Sequence, residues 1–462
     1  MLTALTLRNF KSWQEVRDMR FAPITGLFGT NSSGKSSILQ FLLMLKQTVA
    51  ADDRRTVLDF GDVNAPVNLG GFRDVVYDHD VSSPLRFSLA WRLRETLTPK
   101  DTYQNQTLLG GRDLRINVSV SQRDERLCVT KLMYDLGELN SGSFDTFGVS
   151  ERTGDLGKYN LDPSEVVDGF RFVRNPGRAW PLPSPPMKFY GFPDEVYAYY
   201  QNGAFLADLQ LAFVQEIERV HYLGPLREHP RRHYEFRGTT PSDMGPKGEA
   251  VVEAILASRD RGRYISTGRG RGKRKRTLEE RIAFWLKRLG LIHSFEVRPI
   301  GKNGGLYEVT VKRTPQSAEA LITDVGFGVS QVLPVLVLCY YAEEGSTILL
   351  EQPEIHLHPS VQMGLADVFV DAMKNRNIQI VIESHSEHLL NRLQTRVAEK
   401  AVASDDVSLY FCDAGAKGST LKALELDHLG NIANWPTNFF GDRFGEVAAR
   451  REASLLQQVD GA

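Results

Sequence analysis

The feature that most constrains the fold is the segment Gly29-Thr-Asn-Ser-Ser-Gly34-Lys35-Ser36, which fits the pattern G-x-x-x-x-G-K-[ST]. A short apolar run ends at Gly29, and apolar residues at helical spacing begin after Lys35. The segment is therefore predicted to be a loop between a strand and a helix. The alternative is a glycine-rich turn before an ordinary helix, which the two correct flanks disfavour.

Such a loop is a phosphate-binding P-loop. Its backbone N–H groups surround phosphate oxygens, the lysine reaches the β- and γ-phosphates, and the last hydroxyl binds Mg²⁺. We therefore predict ATP and Mg²⁺ as cofactors. The residues predicted to contact the nucleotide are Asn31, Ser32, Ser33, Gly34, Lys35, Ser36 and Ser37.

A second motif lies near the other end of the chain. The apolar run from Thr347 to Leu350 precedes Glu351-Gln-Pro-Glu354, which is typical of a buried parallel strand that presents a carboxylate at its end. We expect this strand beside the P-loop strand, with Glu351 and Ser36 on opposite sides of the Mg²⁺. The alternative is a core strand followed by solvated acids.

A third apolar run, from Ile378 to Ile382, precedes Glu383-Ser-His385-Ser. It predicts a neighbouring parallel strand that brings His385 into the same crevice, although a histidine after a strand is commonly structural. The pairs His356 and His358, or His385 and His388, resemble zinc ligands in spacing, but they lie inside these motifs.

These motifs resemble the Walker B, D-loop and switch-histidine regions of the ABC ATPase class that includes RecF, the SMC proteins and the overcoming-lysogenization-defect (OLD) nucleases. The segment from Asp324 to Gln331 resembles that class's signature motif, and Leu5 to Lys11 resembles its first strand. The segments Tyr222 to Arg227 and Gly430 to Phe440 resemble a subgroup, the single-chain bacterial ATPases that accompany effectors in antiphage defence.

The resemblance implies a head-to-tail homo-oligomer, in which the signature of one subunit faces the γ-phosphate held by the other. The implied signature contacts are Gly328, Ser330 and Gln331, with Gly328 in the place of the usual serine. Gln352 stands where the class has the glutamate that polarises water. Because an amide is a poor base, we expect slow ATP hydrolysis, with Gln352, Glu354 and His385 as the candidate catalytic residues.

The P-loop and the Walker B strand are 316 positions apart, from Lys35 to Glu351, so one head must fold from both ends of the chain. We predict an α/β P-loop head with a mostly parallel core sheet, split by β-rich and helical insertions. The predicted divisions are residues 1–95 with the P-loop, a β-rich and helical insertion over 96–220, a connector over 221–300, the C-terminal segment of the head over 301–430, and a tail over 431–462.

Composition restricts the partners. The net charge is −1, so nucleic acid could bind only through a local patch such as the basic segment 261–276, which is otherwise a solvated linker. Three widely spaced cysteines fit a reducing compartment, and no run is long enough to cross a membrane. We therefore expect a cytoplasmic protein without membrane contact.

Two functions remain open. In the first, the protein is an ATP-gated sensor and scaffold that controls a separate effector, by analogy a nuclease, in antiphage defence. In the second, it is a RecF-like ATPase of DNA repair and recombination. Gln352 and the short middle of the chain favour the first.

Overall fold

Two large sheets organise the chain, one antiparallel and one mostly parallel. The computed structural model describes residues 1–101, 103, 106–108, 110–138, 142–163, 170–177, 180–266, 275–301 and 305–436. Up to residue 162 the elements are β1 (Leu2–Phe10), β2 (Trp13–Arg20), β3 (Ile24–Gly29), α1 (Lys35–Ala50), α2 (Phe72–Val75), β4 (Leu85–Leu97), β5 (Lys100–Asp101), β6 (Gln106–Thr107), β7 (Gly111–Arg123), β8 (Arg126–Glu138), β9 (Ser143–Glu151) and β10 (Tyr159–Asp162).

The elements that follow are α3 (Asp194–Tyr199), α4 (Leu206–Glu218), β11 (Val220–Leu223), β12 (Tyr234–Glu235), α5 (Val251–Asp260), β13 (Tyr264–Ser266), β14 (Lys275–Thr277), α6 (Leu278–Arg288), β15 (Ser294–Pro299), β16 (Leu306–Lys312), β17 (Ala320–Leu321), α7 (Phe327–Tyr341), β18 (Thr347–Glu351), α8 (Pro359–Arg376), β19 (Gln379–Glu383), α9 (Glu387–Ala398), β20 (Val407–Gly415) and β21 (Gly418–Leu424). They confirm the α/β fold.

The antiparallel sheet has the strand order β10-β9-β8-β7-β4-β1-β2. Its first strand pairs with β2 on one side and with β4 on the other. The predicted division between residues 95 and 96 therefore falls inside β4, and the β-rich segment extends the sheet that β1 begins. The assignment of domains stays a prediction.

Two details of the antiparallel region do not follow from the sequence patterns. Phe170 and Phe172 lie outside the named strands and pack edge to face, with ring centroids 5.0 Å apart. The sequence patterns do not predict β2, where the buried residues Trp13, Val16 and Met19 recur every third position. A register shift in its pairing with β1 breaks the usual alternation.

The parallel sheet has the order β11-β18-β19-β3-β20-β21, in which only β21 runs antiparallel to its neighbour. The P-loop strand β3 pairs with β19 and β20. The expectation that the strand of Glu351 lies beside β3 is therefore wrong, because β19 is inserted between them.

The parallel sheet lies between two apolar layers. Ile348 and Leu350 of β18 pack with the cluster that contains α5 to α9, whereas Leu349 packs with α1, α4 and the antiparallel sheet. Burial on both faces explains the uninterrupted apolar runs of these strands. The longest apolar run of the whole sequence, 332–341, is not in a strand but inside the buried helix α7. Of the helices that the structure describes, none is long and apolar enough to cross a membrane.

Candidate active site

The P-loop connects the end of β3 to the start of α1, as predicted. Two of its glycines have positive φ, at 141° for Gly29 and 86° for Gly34. A Cβ at Gly29 would lie 2.0 Å from the Cys412 carbonyl oxygen, and one at Gly34 would lie 2.6 Å from Ser12 Oγ. Both positions therefore require glycine, which keeps the N–H groups at the start of α1 open to an anion.

Lys35 and Ser36 are held by contacts inside the site. The Lys35 ammonium donates to the Thr30 carbonyl at 2.6 Å and to the Gly29 carbonyl at 3.2 Å. Burial lowers the pKa of Lys35, while Glu383 opposes this shift. Ser36 Oγ donates to Glu383 Oε1 at 2.9 Å. The loop thus places a cation and a hydroxyl where a nucleotide phosphate and its metal ion would lie.

A cavity of about 400 Å³ opens over the loop, a size within the usual range of small-ligand sites. Nine of the predicted site residues line it: Asn31, Ser32, Ser33, Gly34, Lys35, Ser36, Ser37, Gln352 and His385. The sequence did not single out the other four lining residues as site residues: Lys11, Ser12, Gln40 and Glu383. The cavity is therefore lined by two segments that are far apart in the sequence, one within residues 11–40 and one within residues 352–385.

Two carboxylates lie in register at the carboxyl edge of the sheet, Glu351 on β18 and Glu383 on β19. Burial and the neighbouring Glu383 raise the pKa of Glu351 to about 7, although Tyr222, Arg227 and Lys11 favour its ionised form. Burial also raises the pKa of Glu383. The charge of Glu383 therefore destabilises the charged form of Glu351, and that of Glu354 destabilises the charged form of Glu383.

This arrangement fits a divalent cation. Mg²⁺ prefers oxygen ligands, and the Ser36 hydroxyl and the two carboxylates supply them. Glu383 Oε2 is buried without a hydrogen-bond partner among the described residues. The sequence predicts Glu351 and Ser36 on opposite sides of the metal ion. In the structure the carboxylate that contacts Ser36 is Glu383, because β19 and not β18 is the strand beside β3.

The three candidate catalytic residues have different environments. Gln352 lines the cavity at a strained φ of 43°, and its backbone N–H donates to the Glu383 carbonyl at 2.8 Å. Glu354 is buried, and its Oε1 accepts from Ser384 Oγ and the His385 N–H, each at 2.7 Å. Burial and Lys35 lower the pKa of His385. Glu354 thus stabilises the turn that holds His385.

The predicted signature residues lie in the first two turns of α7. Ser330 Oγ donates to the Phe327 carbonyl at 2.8 Å, and Gln331 is buried. Gly328, Ser330 and Gln331 are not among the described residues that line the P-loop cavity. Phe327 is 60% exposed at the start of this helix. Within one chain, the signature segment and the P-loop do not share a cavity.

Two further cations belong to this region. Lys11 lines the cavity, and its ammonium donates to Gln40 Oε1 at 2.6 Å. Arg227 is only 7% exposed, and none of its three side-chain nitrogens has a hydrogen-bond partner among the described residues. Burial lowers the pKa of Arg227 to about 10, against the pull of Tyr222, Glu351 and Glu354. The segments that resemble the ABC class contain both residues, but only the fold places them beside the acids.

Half of the basic segment, residues 267–274, lies outside the described residues. Its described ends pair as β13 and β14, and the Arg276 guanidinium lies 4.7 Å from the centre of the Phe284 ring. In the portion of the chain that the structure covers, no group of three or more His, Cys, Asp or Glu side chains is arranged to hold a metal ion. His358 instead caps α8 through Ser360.

Comparison with known proteins gives two family matches. Residues 281–390 match the family model of the AAA ATPase domain, and residues 402–449 match that of a family of proteins of unknown function (DUF3696). No protein of curated function matches the chain.

Solved structures similar to the chain include an SMC head domain from Thermotoga maritima, at 10% identity and a TM-score of 0.40, covering 92% of this chain and 99% of that one. An Smc head bound to the C-winged helix domain of ScpA has 11% identity and a TM-score of 0.43, with 92% and 98% covered. An Smc head from Pyrococcus furiosus, bound to the C-terminal domain of ScpA, has 10% identity and a TM-score of 0.42, with 92% and 96% covered.

The class of protein follows from the site together with the ATPase family match. A P-loop between β3 and α1, carboxylates at the same edge of the parallel sheet and the match of residues 281–390 to the AAA ATPase domain define an α/β P-loop ATPase head. Nucleotide binding is the property that this class implies.

Proposed function

We propose that the protein is an ATP-binding, slowly hydrolysing ABC-type ATPase that acts as a sensor and scaffold for a separate effector in bacterial antiphage defence. One observation carries the slow hydrolysis. Gln352, an amide, lines the cavity at the position where the ABC ATPase class that this sequence resembles has a carboxylate to polarise the attacking water. An ATPase without that base would hold its ATP-bound state for a long time, which suits a timer better than a motor.

The surrounding acids support slow turnover because each already has a hydrogen-bond partner, although Oε2 of Glu354 and Oε2 of Glu383 have none among the described residues. Glu354 accepts two hydrogen bonds, Glu383 accepts one from Ser36, and Glu351 interacts with Tyr222. His385 is the proposed proton acceptor that remains. Its lowered pKa keeps the imidazole neutral near pH 7 but also makes it a weak base.

The proposed nucleotide contacts are the P-loop residues that line the cavity. Lys35 would leave the loop carbonyls for the β- and γ-phosphates, and Lys11 would add a second positive charge. Ser36, Glu351 and Glu383 would hold Mg²⁺. When bound, the ion neutralises phosphate charge and relieves the repulsion between the two carboxylates.

The proposed assembly is an ATP-bridged homo-oligomer. Gly328, Ser330 and Gln331 lie outside the P-loop cavity of their own chain, so a second copy would bring its signature segment to the γ-phosphate. The exposed Phe327 at the start of α7 supports such a contact. ATP would then belong to the interface, and its hydrolysis would release the subunits.

The effector and the defence role rest on the resemblance of the Tyr222–Arg227 and Gly430–Phe440 segments to defence ATPases. We propose that segments 96–220 and 221–300 contact the effector or the other subunits. Any nuclease activity would then belong to the effector and not to this chain.

The test is co-purification with the product of the neighbouring open reading frame, followed by assays of ATP turnover and DNA cleavage. We expect turnover on the order of 10⁻² s⁻¹ or below, unaffected by duplex DNA, and effector activity that depends on the nucleotide state. Strong stimulation of turnover by duplex DNA would contradict the sensor role and support the RecF-like alternative.

A further inference from the structure

A second cavity, of about 510 Å³, lies at the opposite edge of the parallel sheet. It is lined where β11 and β18 begin, by Arg219, His221 and Ser346, and by residues of the 240–244, 261–263 and 338–343 segments. The P-loop, by contrast, lies at the carboxyl ends of these parallel strands. The second cavity is therefore separate from the site described above, and its volume suits a molecule of nucleotide size.

Three arginines, Arg219, Arg261 and Arg263, line this cavity. The guanidinium groups of Arg219 and Arg261 form no ion pair or hydrogen bond with any other described residue. Arg263 is fixed by a 3.0 Å hydrogen bond to the Tyr341 carbonyl. Burial raises the pKa of the Tyr341 phenol, and the charges of Arg263 and Arg261 oppose this shift, which places both guanidinium groups near the ring.

The acids around the cavity do not neutralise these arginines. Asp243 is already paired with Lys46 at 2.7 Å and lies 3.7 Å from His221. The other two lining acids, Glu218 and Glu343, are exposed. The cavity thus holds guanidinium groups whose natural partners, the oxygens of a phosphate or carboxylate, are not supplied by the described residues of the chain.

A buried hydroxyl points to a ligand independently of the charges. Ser346 is fully buried and lines the cavity, yet its Oγ has no hydrogen-bond partner among the described residues. Buried polar groups without a partner are uncommon in folded proteins, and a bound polar molecule would satisfy this hydroxyl.

We propose that this cavity binds a phosphorylated small molecule of nucleotide size, with Arg219, Arg261 and Arg263 contacting its phosphate and Ser346 contacting a hydroxyl or phosphate oxygen. The binding does not depend on the proposed function. Only the idea that the bound molecule acts as the signal of a sensor rests on the proposed function.

The strands offer a route from this cavity to the active site. β18 begins at Thr347, next to Ser346, and ends at Glu351, roughly 13 Å away at about 3.3 Å per residue. β11 begins next to Arg219 and carries Tyr222, which interacts with Glu351. A ligand that moves the starts of both strands would therefore change the position of Glu351, and ATP binding would in turn change the ligand's affinity.

The experiment measures binding of pyrophosphate and AMP by calorimetry in the Lys35→Ala background, which removes the P-loop cation. We expect one binding site per chain. Adding Arg219→Ser and Arg261→Ser should weaken binding at least about tenfold, because two charge-assisted hydrogen bonds to the ligand can no longer form. The matched control adds Arg55→Ser and Arg126→Ser, which remove two exposed arginines elsewhere and should leave the affinity unchanged.

A second variant separates binding from folding. Ser346→Ala should leave the melting temperature unchanged or slightly raised, since its hydroxyl has no partner among the described residues, yet should lower ligand affinity several-fold. Absence of binding in the Lys35→Ala protein, or binding that survives the loss of Arg219 and Arg261, would overturn the proposal. Binding of a DNA or RNA oligonucleotide alone would also overturn it, in favour of a nucleic-acid contact.

Discussion

The P-loop cavity and the start of α7 differ in how fully one chain completes them. In the cavity, Lys35 and Ser36 are fixed by contacts to the loop carbonyls and to Glu383. At the start of α7, Phe327 is exposed and Gly326 provides no side-chain cap. Under the proposed function, a single chain builds the phosphate-binding half of the site, and the signature half is completed by a second copy. The following predictions test this contrast.

The largest effect is expected at Lys35. Lys35→Ala should weaken ATP binding at least about 100-fold, because the β- and γ-phosphates lose a charge-assisted hydrogen bond. A fluorescence or calorimetric titration measures the affinity, with Lys374→Ala on the exposed surface of α8 as the control. Undiminished affinity would mean that the loop is not the nucleotide site.

The signature half is tested by Gly328→Glu. A Cβ at Gly328 meets only the end of the Leu291 side chain at 3.3 Å, so the fold should tolerate the change. The added negative charge should prevent ATP-induced association, since it would face a triphosphate, while ATP binding to the single chain persists. Mass photometry with and without ATP and Mg²⁺ measures this. Leu211→Glu, on the exposed face of α4, should associate like the wild type.

Variants of Gln352 and Glu354 test which group in the cavity accepts the proton of the attacking water. Gln352→Glu should raise steady-state phosphate release by at least about tenfold, since a carboxylate is the better base, and should change ATP affinity little. Glu354→Gln should affect turnover mainly through the turn at His385. A fast wild type, an inactive Gln352→Glu variant and an inactive Glu354→Gln variant would together assign the base to Glu354.

The raised pKa of Glu351 makes the stability of the nucleotide-free protein depend on pH. Its pKa is about 7 in the folded state, above the ordinary glutamate value of 4.5. The folded state therefore binds more protons between these values, and stability falls as pH rises from about 4.5 to about 7, by about 2 to 3 kcal/mol. Glu351→Gln should remove most of this loss, which is measured as melting temperature at pH 5 and pH 8. Equal pH profiles for the two proteins would contradict the shift.

The smallest effect on the ATP site is expected from the basic segment. Replacing Arg271 and Lys273 to Arg276 with Ser should leave ATP affinity unchanged. If the segment contacts phosphates, the dependence of nucleic-acid binding on log salt should become shallower by about one unit for each phosphate that is no longer neutralised. A slope equal to that of the wild type would make the segment a solvated linker.

The sequence predicts those features of the site that depend on local pattern. The structure has the predicted loop between β3 and α1, a strand that ends at Glu351 and His385 in the cavity, because each of these placements follows from a short run of residues. The order of the strands does not follow from such runs. The insertion of β19 between β18 and β3 depends on contacts between distant segments, so the sequence did not reveal Glu383 as the partner of Ser36.

Arg227 illustrates the same limit. Its segment stands out in the sequence, but nothing local shows that the guanidinium is buried beside Glu351 and Glu354. Burial and charge proximity are properties of the assembled sheet. The same holds for the second cavity, whose arginines come from separate segments of the chain.

The central position of β3 determines when during synthesis the protein can first bind nucleotide. Ile24 pairs with Ile380 on one side and with Val407 on the other. The P-loop strand therefore remains without either neighbour until most of the chain has left the ribosome, for tens of seconds at about 5 to 20 residues per second. Chains that terminate before β19 and β20 would carry the P-loop sequence without the strands that hold β3 in the sheet.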